Sequence, residues 1–396
     1  MRFELEAGQV PILIGEPGVG KSAFATSLAA NLNAALSIVY LAHREASEIH
    51  GIPVVSDDRL QAGSQTVRVV TFAPPDYAIW ALQQSQTGRS VVILFDEFSC
   101  LAPEATASAL AILSEKRIGD VRLDPSRVAM IACANPVELA AGGWRIAPPA
   151  ANRLAWYKFP VDPMEWVERF PLYWGRPPVV RYLDRELPED AWASRRIRVA
   201  AFVRAFPDLL IKVPASEDAR SGPWPSPRSW DAVSRVLTVA ELADASEGVV
   251  RSVVSAHVGA DVALKFFTWW GEANFPAPEE VLANESLWSE IAGRRSDQVY
   301  YIVSSVVAAV ESTVRRAVAG NSTKERSQAA KDWATAVRFL DALVAAGGPK
   351  DVALLGAGRL VGKDSSPHWI DKKAVPSGIF RFAGSLREIG LDWSAK

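Results

Sequence analysis

The first 160 residues alternate short, β-branched apolar runs with stretches whose apolar positions recur every three or four residues. Strand candidates are Gln9 to Ile14, Ser37 to Leu41, Val91 to Phe95, Val128 to Cys133 and Ala155 to Phe159. Phe24, Leu28 and Leu32 fall at four-residue spacing in a helical stretch Lys21 to Leu32. A second helix starts after Pro74-Pro75 and runs through Trp80 to about Gln86. A third begins at Pro103-Glu104 and carries Leu110, Ile112 and Leu113 towards Lys116. This alternation predicts an α/β fold: a parallel sheet covered by helices on both faces, as a three-layer α/β/α core over residues 1–160. Residues 44–72 fit it poorly. A polar loop with Gly51 and Pro53 precedes a strand-like Thr66 to Phe72, which reads as an insertion.

Beyond Phe159 the pattern changes. Pro160, Pro163, Pro171, Pro177 and Pro178, with Trp166 and Trp174, predict an irregular connector over residues 161–190. From there almost every apolar pattern has helical period: Ile197 to Phe206, Ser229 to Ala243, Val249 to Val258, Ala260 to Trp270, Val299 to Val318 and Gln328 to Ala346. An all-helical second half follows, divided here into residues 191–275 and a C-terminal helical extension, residues 276–396. No internal repeat or low-complexity tract interrupts it. Of the 14 tryptophans, most lie after residue 140, and packing between helices accounts for them better than a ligand cage does.

The chemistry is concentrated in the first half. Gly15-Glu16-Pro17-Gly18-Val19-Gly20-Lys21-Ser22 spells G-x-x-x-x-G-K-S between a strand and a helix. Glycines there permit a tight loop whose backbone N–H groups converge on phosphate, the lysine reaches the outer phosphates, and the serine hydroxyl can ligate Mg²⁺. The helix dipole that follows favours the same anion. The run Val91 to Phe95 ends in Asp96-Glu97: Asp96 suits a metal-holding acid and Glu97 a base that polarises the attacking water. Ala134-Asn135-Pro136 closes a further strand, where an amide could orient water between the outer phosphate and Glu97, or simply make an Asn-Pro turn. Lysine, acid pair and asparagine at successive strand ends would share one sheet edge, where open α/β folds bind ligands.

Composition narrows the classes. Forty-three basic against 45 acidic residues, a net charge of -2, argue against a surface given over wholly to nucleic acid or anionic membrane, while leaving room for a local basic groove. Two cysteines, Cys100 and Cys133, and four scattered histidines offer neither a disulfide framework nor metal-ligand spacing. No apolar run approaches the roughly 18 residues a membrane span needs, and the first residues lack a signal peptide's apolar region. A cytoplasmic protein that does not enter membranes is expected.

These residues resemble a family: the P-loop NTPases of the AAA+ type, specifically the MoxR-type group related to the dynein-like and magnesium-chelatase ATPases. The likeness rests on Gly15 to Ser22, Asp96-Glu97, Asn135-Pro136, Ala151-Asn152-Arg153-Leu154 before the last strand, and Ser226-Pro227-Arg228-Ser229-Trp230 opening a helix. His43 to Gly51 also resembles the family's segment after its second strand, which leads into an inserted element. The resemblance implies ATP and Mg²⁺ as ligands and Asn135 as a first sensor of the outer phosphate. It also implies Arg153 as an arginine finger reaching a neighbour's site, with Arg145 as its rival, and Arg228 as a second sensor in a helical lid over residues 191–275. It implies a homo-oligomer, a hexameric ring, with a protein client or a von Willebrand A domain partner. A planar, permanently charged guanidinium suits both arginine tasks.

Two departures are visible. The P-loop strand starts within about ten residues of Met1, where relatives carry a helix that helps enclose the base, so ATP over GTP is left open. The run Arg117 to Arg127 is short for the family's hairpin, which makes the insertion at 44–72 the expected client contact. A chaperone-like, ring-forming ATPase is the first expectation. A nucleotide-dependent switch or assembly module with incidental hydrolysis is the second, and a DNA-acting AAA+ motor of restriction or mobile-element type the third. A small-molecule kinase is weakest, since it gives Asn135, Arg153 and Arg228 no shared purpose.

Overall fold

The computed structural model describes residues 1–362 except 63, 141–143, 176–177, 183–184 and 321, together with 367 and 370. The far end of the 276–396 extension therefore lies outside the described residues. The chain divides into two compact units, Met1–Pro160 and Val161–Lys396.

In the first unit the elements run α1 (Arg2–Glu6), β1 (Val10–Ile14), α2 (Lys21–Asn31), β2 (Ala35–Tyr40), α3 (Ala46–His50), β3 (Ile52–Ala62), β4 (Gln65–Ala73), α4 (Asp76–Gln86), β5 (Val91–Asp96), α5 (Pro103–Glu115), β6 (Arg117–Ile118), β7 (Val121–Arg122), β8 (Val128–Ala134), α6 (Pro148–Ala151) and β9 (Leu154–Lys158). Five strands form an all-parallel sheet in the order β2-β5-β8-β1-β9. Strand side chains alternate between its faces. Val91, Ile93 and Phe95 meet α3 to α6 through Ile49, Tyr77, Ala78, Ala81, Ile112 and Ala150. Val92, Leu94, Ile131 and Cys133 meet α1 and α2 through Leu5, Ala25 and Ala29. With both faces covered, β5 reads as an unbroken apolar run, which is why the sequence pattern located it. The three-layer α/β/α core is thus as expected.

The insertion is more regular than the sequence indicated. After the short helix α3, β3 and β4 pair as an antiparallel ribbon in which Ile52 lies opposite Ala73 and Ala62 opposite Gln65. Only its second strand was legible. Pro53, Ser56, Asp57 and Asp58 hide the first, and the register shifts between Val55 and Arg59, so no simple period survives. The run Arg117 to Arg127 makes a hairpin of two residues a side, β6 against β7. A five-residue helix, α1, stands ahead of β1.

The second unit begins with α7 (Pro163–Arg169), inside the stretch expected to be irregular. Its start signal is present: Asp162 accepts hydrogen bonds from the Met164 and Glu165 amides, and Pro163 occupies the first turn. The many prolines nearby mask it. A two-stranded ribbon, β10 (Arg181–Tyr182) and β11 (Arg185–Glu186), precedes α8 (Glu189–Ala205), α9 (Glu217–Arg220), α10 (Pro227–Leu242), α11 (Glu247–Val258), α12 (Ala260–Glu272), α13 (Pro278–Ala283), α14 (Leu287–Ala292), α15 (Ser296–Gly320), α16 (Thr323–Ala345) and α17 (Lys350–Val361). One apolar core joins α7, α8, α10 to α12 and α15 to α17. Tryptophans anchor it as expected: Trp192 donates its indole N–H to Ser234 Oγ, Trp230 to the Leu209 carbonyl and Trp269 to Asp297 Oδ2. No described helix is long and apolar enough to cross a membrane.

Candidate active site

Parallel pairing brings the ends of β1, β5 and β8 to one edge, because Ile14 stands beside Ala134 and Phe95 beside Ala132. From that edge emerge the phosphate loop, the acid pair and the asparagine.

The loop's shape follows from its glycines. Gly18 (φ 77°) and Gly20 (φ 100°) take left-handed conformations that side chains disfavour. Gly15 is packed so closely that a Cβ would lie 2.9 Å from the Phe159 carbonyl oxygen. Its N–H donates to the Ala134 carbonyl at 3.3 Å, tying the loop to β8. Lys21 then opens α2, and no described side chain caps this helix, whose start, like any helix N-terminus, favours an anion.

The polar side chains converge tightly. Lys21, 7% exposed, donates from Nζ to the carbonyls of Gly15 (2.8 Å) and Glu16 (2.9 Å) and to Asn135 Oδ1 (2.8 Å). Asn135 in turn donates from Nδ2 to Glu97 Oε2 at 2.7 Å. Ser22 Oγ donates to Asp96 Oδ2 at 2.6 Å, and Asp96 Oδ1 accepts the Glu97 N–H at 3.0 Å. Glu97 adopts φ 58°, ψ 41°, rare for a residue with a side chain. That turn carries its carboxylate off the line of β5 towards Asn135. Asn135 ends the strand before Pro136, and its amide bridges the lysine to the second acid.

Sequence reasoning missed two contributors. Buried Ser99 accepts the Asn135 N–H on Oγ at 3.2 Å and fixes the amide's backbone. The Cys100 thiol donates to Glu97 Oε2 at 3.7 Å. Neither belongs to a recognisable spacing, so no signal in the sequence would have found them. Cys133 lies just inside the sheet; burial, reinforced by the charge of Asp96, pushes its thiol up to about 12.

Ser22 and Asp96 offer hard oxygen donors side by side, the donor set Mg²⁺ prefers. No group of three or more His, Cys, Asp or Glu placed to hold a metal occurs among the described residues. A cation here would accordingly complete its shell with phosphate oxygens and water, as Mg²⁺ does in phosphoryl-transfer sites.

Arg153 stands apart from this cluster. Arg153 precedes β9, whose Leu154 is in register with Val10, the first residue of β1. It therefore sits at the opposite edge of the sheet, about 13 Å along β1 from the phosphate loop. Exposed there, it donates from Nε to Ser114 Oγ and from Nη1 to the Pro149 carbonyl (2.8 Å). Arg145 is exposed in the loop before α6. Arg228 belongs to the second unit, exposed in the first turn of α10. A Ser226–Ser229 capping box organises that helix start.

Comparison with known proteins agrees with this geometry where it reaches. Residues 11–149 match the AAA domain (dynein-related subfamily), a segment that contains the loop, Asp96, Glu97 and Asn135 and stops before Arg153 and Arg228. The matched segment spans most of the α/β unit, whose fold is that of a P-loop AAA domain. No curated protein matches the chain. Among solved structures, a proposed ATPase from Cytophaga hutchinsonii is similar at 15% identity, covering 64% of this chain and 78% of that one with a TM-score of 0.30. A point mutant of RuvB from Thermotoga maritima is similar at 12% identity, covering 74% and 72% with a TM-score of 0.32.

Proposed function

We propose that the protein binds ATP with Mg²⁺ and hydrolyses it within a ring of identical subunits, using the cycle to remodel a protein partner. The observation that carries this reading is the hydrogen-bonded cluster Ser22–Asp96 and Lys21–Asn135–Glu97 at the carboxyl edge of an AAA-domain sheet. Lys21 and the α2 amides would hold the phosphates, and Ser22 with Asp96 would hold Mg²⁺, which when bound neutralises charge on the transferring phosphoryl group. Glu97 would take a proton from the attacking water, and Asn135 would orient that water beside it.

A ring is supported by the place of Arg153. It is remote from its own phosphate loop, whereas a guanidinium that stabilises the transition state must touch phosphate oxygens, so its partner would be the site of a neighbouring subunit. Arg228 would serve as second sensor; a cation in the first turn of α10 opposes the helix dipole and gains from an anion. The MoxR-type assignment, a hexamer, a chaperone-like role and a von Willebrand A domain partner belong to the same proposal. A client would meet the β3–β4 ribbon, where Ile52, Val54, Val55, Val67, Val70 and Phe72 are exposed.

The test is steady-state ATP hydrolysis and light-scattering mass for the wild-type and Glu97→Gln proteins. Glu97→Gln should retain ATP binding, assemble in its presence, and turn over roughly 10²–10⁴-fold more slowly. Undiminished turnover would remove Glu97 from the reaction, and a monomer with ATP bound would remove the ring.

A further inference from the structure

Strand order decides where the rest of a bound nucleotide must go. In the sheet β2-β5-β8-β1-β9, the groups that would meet the outer phosphate, Asp96, Glu97 and Asn135, end β5 and β8 and so lie on one side of β1. The phosphate chain, running away from them along the loop, leaves on the other side, where β9 stands about one strand spacing, roughly 4.8 Å, from β1.

The end of β9 there is unusually well fixed. Phe159 donates its N–H to the Ile14 carbonyl at 2.8 Å, and its own carbonyl and Cβ press on the bare Cα of Gly15, at 2.9 and 3.3 Å from where a Cβ would stand. The first loop residue is thus a glycine because Phe159 occupies its flank. Phe24 faces it from α2. Three residues after Lys21, it is a neighbour of that lysine on the helix surface, one turn further from the phosphates. The two rings meet with centroids 5.5 Å apart and planes tilted by 59°. Phe159 is half-buried against Leu5, Leu13 and Ala25, but Phe24 is 41% exposed, an apolar ring held in contact on one side and open to solvent on the other.

We infer that Phe24 and Phe159 form an aromatic step that receives the purine ring of the nucleotide, Phe24 supplying the open face. The inference rests on the nucleotide-binding reading above. Stacking of a base on an aromatic side chain strengthens binding by roughly tenfold or more and depends little on which base is stacked. The step therefore adds affinity for the purine ring without choosing between ATP and GTP, and it makes no contact with the phosphates.

Calorimetric titration of the full chain with Mg²⁺·ATP, Mg²⁺·GTP and Mg²⁺·tripolyphosphate tests it. Phe24→Ala should weaken ATP and GTP alike by roughly tenfold or more, leave tripolyphosphate affinity at the wild-type value, and regain nucleotide affinity as Phe24→Trp. If Phe24→Ala binds ATP as tightly as wild type while Lys21→Ala does not bind it, the step is overturned and the phosphate site stands. If Phe24→Ala loses ATP and tripolyphosphate in equal measure, the ring is packing for α2 and the step is likewise overturned. If the wild-type chain binds neither ATP nor tripolyphosphate, the nucleotide reading falls and takes the step with it.

Discussion

Asn135 connects a cation and an acid: its carbonyl oxygen accepts from Lys21 and its amide nitrogen donates to Glu97. A carboxylate could accept from the lysine but could not donate to Glu97, whereas an amide accepts through its oxygen and donates through its nitrogen. Glu97 in turn needs its left-handed backbone to reach that amide, a conformation costing of order 1–3 kcal/mol that the surrounding contacts must outweigh. The residue scale also separates the two cysteines. Burial keeps Cys133 a neutral thiol well above physiological pH, and only the thiolate reacts with alkylating reagents; Cys100 is partly exposed. At pH 7.5 maleimide should modify Cys100 first and Cys133 only after denaturant is added, as intact-mass measurement would read. Rapid double modification of the folded protein would contradict the packing around β8. The meeting of Lys21, Asp96 and Glu97 at one edge of the sheet was legible because loop and acid pair are local patterns. Ser99 and Cys100 were not, because their use depends on the path of the chain after a left-handed residue.

At the scale of elements, helices in the second unit are clamped by charge as well as by tryptophan. Glu241 on α10 accepts from Arg198 Nη1 at 2.6 Å and from Arg195 Nε at 2.8 Å, both on α8. Burial alone would raise its pKa, but the two guanidinium groups outweigh it and hold the carboxyl below its ordinary 4.5. A carboxylate favoured in the folded state contributes stability that is fully present above the unfolded pKa and is lost as pH falls through the folded one. Thermal melts should therefore be flat from pH 7 to about 5 and drop below about 4.5. Glu241→Gln should melt lower at pH 7 and show a shallower acid drop; an unchanged acid profile would mean the clamp contributes nothing. Elements were legible where one period held. The strands of the parallel sheet and the long helices α10 to α12, α15 and α16 declared themselves. Helix α7 was hidden by prolines, and β3 by a register shift that breaks alternation.

For the whole molecule, the sequence indicated a parallel α/β core ahead of a helical half, and the structure has both, because covered sheets and amphipathic helices imprint opposite periods on the chain. What period cannot convey is which edge of the sheet a residue occupies. That information lies in strand order and register, long-range properties that place Lys21, Asp96 and Asn135 at one edge and Arg153 at the other. Arg153→Ala, under the ring reading, should lower turnover by roughly 10³-fold with ATP affinity nearly intact. Full turnover in that variant would return Arg153 to the surface ion chemistry of Ser114 and Pro149.

Leu154 in register with Val10 has one more consequence, for mixtures. Each preparation, Glu97→Gln or Arg153→Ala, should be inert alone. Blended and allowed to exchange subunits, some boundaries would join an intact Glu97 from one parent to an intact Arg153 from the other. For a random equimolar ring, about a quarter of the boundaries would be whole again. Two dead proteins would then revive each other, a result that a site contained within a single chain has no means of producing.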